Sequence, residues 1–228
     1  MSQSFSLTDS LSVSDLQTYL SRAARVEEGS VRLIGGSGVL AVYSAILYPR
    51  GLLDQTPTVL GLRTFAIQPD EAFDAVVPIR SLLDRLARIA EAFPEGDAPA
   101  GPVEVRMPLE VSTVTWAGIS PPRGGWRPVG ETEVDLLQRT AAGGIAEVAE
   151  AIPSGTGEQL VQRVRAEVWG RPIEGLEYVP AGAAFAAESL GFLAAGEPVS
   201  ILETGPWTRL TTKRGHTLVR RQAWTLRA

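Results

Sequence analysis

Val31-Arg32-Leu33-Ile34-Gly35-Gly36-Ser37-Gly38-Val39-Leu40-Ala41-Val42-Tyr43-Ser44-Ala45-Ile46-Leu47-Tyr48 is the stretch whose reading decides the fold. Two apolar runs rich in β-branched residues flank Gly35-Gly36-Ser37-Gly38. Glycine takes positive φ without a steric penalty, so the stretch reads as a β-hairpin closed by a short glycine turn. A third run, Thr58 to Ile67, follows at a distance suited to an antiparallel neighbour. The expectation is an α+β fold: an antiparallel β-meander with helices packed on one face, then a helical segment and a C-terminal β-hairpin.

Working outward, 228 residues are enough to bury a core as one large domain or two small ones. A hydrophobic content of 44% with 21% charged residues argues against wholesale disorder. Cysteine is absent, which excludes disulfides, thiol chemistry and cysteine-ligated zinc. His216 is the sole histidine, so a histidine-ligated metal would require a second copy of the chain. No cofactor is expected. Met1-Ser2-Gln3-Ser4-Phe5 has neither a basic n-region nor an apolar h-region, and no apolar run approaches the roughly 18 residues that span a bilayer. These features predict a cytoplasmic protein with no membrane contact.

The formal charge of −5 is unevenly placed. Residues 1–114 hold nine arginines and fourteen acids, whereas residues 115–228 hold twelve bases and twelve acids. Residues 204–228 carry Arg209, Lys213, Arg214, Arg220, Arg221 and Arg227 and no acid.

In chain order, residues 1–12 are serine-rich and read as a frayed end, with one α+β domain over 13–228. The alternative is two sub-domains, 13–96 and 103–228, divided by the breaker-rich loop at 94–102. Ser14-Asp15 open a first helix. Phe73 to Ile79 reads as a short strand. Ser81-Leu82-Leu83-Asp84 has capping-box spacing, with Leu82, Leu86, Ile89 and Phe93 as the apolar stripe behind it and Arg80–Asp84–Arg88 as charge pairs. Val103 to Met107 and Val111 to Trp116 read as strands. Thr132-Glu133-Val134-Asp135 and Thr156-Gly157-Glu158-Gln159 match the capping box again. The first of these helices turns Val134, Leu137, Ala141, Ile145, Val148 and Ile152 inward. Gly143-Gly144 in its middle marks a kink or a close backbone approach. The second stops at Gly170, and an alanine-rich third spans Pro180 to Leu193. Three strands close the chain, with Lys213-Arg214-Gly215-His216 turning between the last two. There is no fixed-period repeat.

The candidate sites each have a plainer reading beside them. Gly35-Gly36-Ser37-Gly38 precedes a strand rather than a helix, so it is a turn and not a phosphate cradle. Ser154-Gly155-Thr156-Gly157 precedes a helix but lacks a following lysine, so it reads as a cap. Asp70, Glu71 and Asp74 lack the alternating ligands and turn glycine of a cation loop. Trp116 to Trp126 brackets Pro121, Pro122, Arg123, Gly124 and Gly125 between two tryptophans. Prolines stiffen a backbone, and tryptophan and arginine dominate interface hot spots, so Trp116, Arg123 and Trp126 are the candidate binding residues. The competing reading packs both tryptophans into the core.

The basic hairpin is the second candidate. Arg209, Lys213, Arg214, His216, Arg220 and Arg221 could meet phosphates, with Trp207 and Trp224 nearby for stacking. Three helices followed by a basic hairpin give residues 132–222 the element order of a winged helix. The acidic preceding helices oppose a phosphate backbone. The plainer reading is an edge hairpin kept soluble by arginine.

Leu47-Tyr48-Pro49-Arg50-Gly51-Leu52-Leu53 and Trp116-Ala117-Gly118-Ile119-Ser120-Pro121-Pro122-Arg123-Gly124-Gly125-Trp126 resemble segments of an uncharacterised protein family from high-GC actinobacteria. The resemblance implies no activity, cofactor or catalytic residue. No nucleophile stands with a base, so the expectation is a non-catalytic protein that binds a protein partner or itself. The alternatives are nucleic-acid binding through the basic hairpin, and a small-molecule or carboxylate-based enzyme site near Tyr43, Arg63 and Trp116.

Overall fold

The computed structural model describes residues 3–51, 54, 56–92, 101–111, 114–152, 155 and 157–220. The chain forms two compact units: residues 1–44 with 62–118, and residues 45–61 with 119–228. It passes from one to the other within its third strand, returns within its fourth, and leaves the first unit finally after Gly118.

The first unit comprises β1 (Ser4–Leu7), α1 (Ser10–Val26), β2 (Ser30–Gly36), β3 (Val39–Leu47) as far as Ser44, β4 (Thr58–Ala66) from Leu62, β5 (Phe73–Pro78), α2 (Ile79–Ala92) and β6 (Val103–Arg106); residues 45–47 and 58–61 of β3 and β4 belong to the second. Its strands lie in the order β5-β2-β3-β4, with β1 and β6 paired antiparallel as a separate ribbon. The hairpin at 31–48 forms as expected. Its turn is the two residues Ser37 and Gly38, both at positive φ (50° and 77°), the pairing whose twist matches the flanking strands. Gly35 has a different role: a Cβ there would lie 2.4 Å from the side-chain ring of Phe73, its partner in β5, so the ring packs directly against the glycine.

Asp9 caps α1 by accepting from the Ser12 N–H at 2.7 Å. The helix buries Val13, Leu16, Tyr19, Leu20 and Ala23, a 3.6-period stripe. The Tyr19 hydroxyl reaches Ser44 Oγ at 2.8 Å and the Val42 carbonyl at 3.3 Å, which satisfies a buried polar group and pins α1 to β3. Burial pushes the Tyr19 hydroxyl well above its ordinary pKa.

Several local expectations need correction. Residues 4–7 are a strand rather than a frayed end, because Phe5 and Leu7 are fully buried against β6. Helix α2 begins at Ile79, straight off β5, so Ser81 sits inside it; the Ser81 carbonyl accepts from Arg85 Nη1. Leu82 and Leu86 are buried as the stripe requires, whereas Arg80 pairs with Glu28 rather than along the helix. Phe93 and residues 94–100 fall outside the described residues. Residues 112 and 113 of the expected strand ending at Trp116 fall outside the described residues, and its last two positions lie in a 3₁₀ turn, Thr115–Gly118, whose Ala117 carbonyl accepts from Arg32.

The second unit adds β7 (Arg127–Thr132), α3 (Val134–Ala151), α4 (Glu158–Gly170), β8 (Pro172–Ile173), β9 (Leu176–Pro180), α5 (Ala181–Ser189), β10 (Val199–Thr204), β11 (Trp207–Thr211) and β12 (His216–Arg220). Strands β12, β11, β10 and β7 lie side by side in that order, all antiparallel. Strand β7 was not anticipated. Thr132 closes it instead of capping α3, whose N-cap is Glu133 without a side-chain hydrogen bond. In α3, Val134, Leu137 and Ala141 are buried, but Ile145 turns outward at 45% exposure. Helix α5 starts beside the expected Pro180 but ends at Ser189 rather than Leu193, with Leu190 as its C-cap and Gly191 at φ 72°; Leu176–Pro180 just before it pair as a strand with β8. Five of its alanines are buried, and it packs against α3, α4 and β12.

Trp169 of α4 ties this helical layer together. It is 2% exposed, and its ring stacks on Phe185 at 4.3 Å with an 18° interplanar angle. A Cβ on Gly144 would lie 2.2 Å from that ring, whereas one on Gly143 would meet nothing within 4 Å. The adjacent glycines should therefore respond oppositely. Gly143→Ala is expected to stabilise by about 0.5–1 kcal/mol, since alanine is the better helix former. Gly144→Ala is expected to destabilise by about 1–3 kcal/mol through overpacking. Urea unfolding of both variants checks this, and equal responses would disprove the assigned close approach.

Candidate functional site

The segment 119–132 begins as coil and becomes β7. Gly125 takes φ 77°, and Trp126 Nε1–H donates to the Pro122 carbonyl at 3.1 Å, folding the proline loop back on itself. The Arg209 guanidinium lies 4.5 Å from the Trp126 ring centroid, a cation–π contact that brings one candidate from the aromatic loop to one from the basic hairpin. Arg123 is exposed. Trp116 is 3% exposed and belongs to the first unit, where Arg32 grips Asp74 through two bonds of 2.7 Å and holds the 3₁₀ turn at Ala117. Tyr43 is also buried, and Arg63 is bound to Asp15, its Nε at 2.9 Å.

Beyond the loop, β7 exposes Arg127, Pro128, Val129, Gly130 and Glu131 in succession. It pairs with β10 and is the last strand on its side of the sheet among the described residues. The register shifts between Ile201 and Leu202, which leaves Val129 without a direct partner and 49% exposed. Sequence reasoning missed this strand because Pro128 and Gly130 suppress the strand pattern. A proline and a bulge are the marks of an edge.

The basic hairpin is partly occupied by its own unit. Lys213 Nζ reaches Glu197 Oε1 at 3.3 Å, and Arg209 is stacked as described. A Cβ on Gly215 would strike the Phe192 ring at 2.4 Å, so the turn needs glycine for packing. β11 is hydrogen-bonded on both sides, to β10 and β12, so it is not a free wing. Arg214 and Arg220 are exposed, and Arg221 lies outside the described residues.

A cleft of about 660 Å³ also lies in this unit. Gln159, Gln162, Arg163 and Ala166 line it from α4, and Arg50 and Asp54 from the loop after β3. Partial burial pushes the Asp54 carboxyl up, but hydrogen bonds from Arg50 and Thr56 outweigh it and hold the group below the usual carboxylate range. Among the described residues, no group of three or more His, Asp or Glu side chains is arranged to hold a metal ion, and no helix is long and apolar enough to cross a membrane.

Two family models divide the chain. Residues 1–106 match a domain of unknown function, DUF8010, and residues 121–224 match a second, DUF8185. No curated protein matches it. Among solved structures, the chain is similar to a DNA polymerase sliding clamp from Caulobacter crescentus, at 15% identity and a TM-score of 0.50, covering 99% of this chain and 67% of that one. It is also similar to a sliding clamp, DNA polymerase III subunit beta, from Bartonella birtlesii bound to griselimycin, at 12% identity and a TM-score of 0.51, covering 98% and 66%. The chain thus has a sliding-clamp-like fold and spans about two thirds of the length of those clamps. At such identities the likeness defines the fold alone.

His216 offers a check on the geometry of β11 and β12. Its Nδ1 lies 3.1 Å from Thr211 Oγ1, and its pKa is pushed down to about 4, first by burial and then by the charge of Arg209. The unfolded chain takes up the proton near 6.5, so the folded state is fully favoured above that pH and loses stability as pH falls toward 4. The wild type is expected to lose about 2–3 kcal/mol more than His216→Gln between pH 7 and 4, read by urea midpoints. Identical pH slopes would show that the imidazole is not desolvated.

Proposed function

We propose that this chain is a cytoplasmic, non-catalytic binding protein that uses the open edge of β7 to pair with a protein strand, in the first instance β7 of a second copy. The carrying observation is the run of five exposed residues on a terminal strand. An edge strand presents unpaired N–H and C=O groups, and an added antiparallel strand satisfies them. The residues are self-complementary. Two-fold pairing centred on Val129 sets Arg127 of one copy opposite Glu131 of the other, twice per interface. Arg123 and Trp126 border the same edge: the first faces solvent and the second fixes the loop, while Trp116 serves the first unit's core.

The names of the fold neighbours also raise DNA as a partner. That reading has less support here, because Lys213 and Arg209 are already engaged and α3 and α4 carry Asp135, Glu147, Glu150, Glu158 and Glu167. A titration with labelled duplex DNA at low salt that shows tight binding would reverse the preference.

Sedimentation velocity tests the edge directly. Arg127→Glu and Glu131→Arg are each expected to weaken self-association by about tenfold, and the double swap to restore it. A wild type that stays monomeric at about 100 μM, or a double swap that fails to recover, would overturn the self-pairing.

A further inference from the structure

We propose that the cleft beside α4 is a binding site for a small organic anion, a carboxylate or phosphate monoester, anchored by Arg163. This site is separate from the β7 edge and does not depend on it.

The cleft's volume of about 660 Å³ is in the range of small-molecule sites. Gln159, Gln162, Arg163 and Ala166 recur at three- and four-residue spacing, so one face of α4 forms a wall. The charges are unequally committed. Glu158 is paired with Arg50 at 3.2 Å, and Glu167 with Arg171 at 3.0 Å. Asp54 accepts from the backbone N–H groups of Arg50 at 2.8 Å and Thr56 at 2.9 Å. Each lining carboxylate therefore has its own internal partner. Arg163, by contrast, makes no ion pair or hydrogen bond among the described residues.

A guanidinium presents a planar fork of donors matched to a carboxylate or phosphate. The side-chain amides of Gln159 and Gln162 lie on the same wall and can hydrogen-bond the neutral body of a ligand. Ala166 leaves room where a longer side chain would fill the wall. The positive end of the α4 dipole, at Glu158, further favours an anion. The same carboxylates that leave Arg163 as the cleft's uncommitted charge oppose a polyanion. Successive phosphates of a nucleic acid would meet Asp54, Glu158 and Glu167, whereas a single anionic group need not.

Isothermal titration calorimetry of the full chain at low salt, with inorganic phosphate, succinate and adenosine monophosphate as separate probes, tests the site. At least one is expected to bind with a Kd of about 1 mM or tighter. Arg163→Gln should weaken that binding by about tenfold or more, while Arg139→Gln, an exposed arginine on α3, should leave it unchanged. Binding by none of the three would overturn the proposal, and so would equal weakening by both variants. Tighter binding of a short DNA duplex through Arg163 would overturn the choice of a small molecule.

Discussion

The helical layer of the second unit depends on seating one large ring among very small residues. Trp169 stacks on Phe185, with Gly144 of α3 close on its ring. Gly182 of α5 belongs to the same arrangement, since a Cβ there would come 3.1 Å from the Trp169 carbonyl and 2.4 Å from Leu47 of β3. Close packing admits little slack, so the ring sets the spacing of three helices at once. The alanines of α5 follow from the same constraint. A helix sandwiched between two others and β12 has room for methyl groups and little more.

That constraint also bears on what the unit can present. Trp169 is buried at the C-terminal end of α4, while Gln159, Gln162 and Arg163, nearer the start of the helix, line the cleft. The buried Val168 and Trp169 sit at the C-terminal end, and Leu160 near the other end is 49% exposed. The helix is therefore held firmly at one end. Strand β7 stands in a similar relation to the sheet. Its pairing with β10 uses one edge only, and Thr132 is the only one of its residues that is buried.

Much of the first unit was legible because its signals are local. The Ser37-Gly38 turn, the alternation in β2 and the stripe of Leu82 and Leu86 each follow from nearest neighbours and period. The candidate site was legible only in fragments. Trp126 and Arg209 were both singled out, but 83 positions separate them, and no periodicity links residues so far apart. Strand β7 went unread because an edge tolerates the proline and glycine that a buried strand would reject. Two of the expected caps likewise failed: Ser81 lies inside α2 and Thr132 inside β7, since strand-to-helix continuity can override a local capping pattern.

By itself the amino-acid sequence determined the α+β class, the hairpin, the lack of cysteine chemistry and the approximate places of most helices, since composition and short-range pattern suffice for these. Tertiary structure alone decided the sliding-clamp-like arrangement, the burial of Trp116, the stacking of Arg209 on Trp126 and the pairing that leaves Arg163 uncommitted. Those outcomes depend on which distant groups meet, and charge partners and close glycine contacts are properties of three-dimensional proximity rather than of order along the chain.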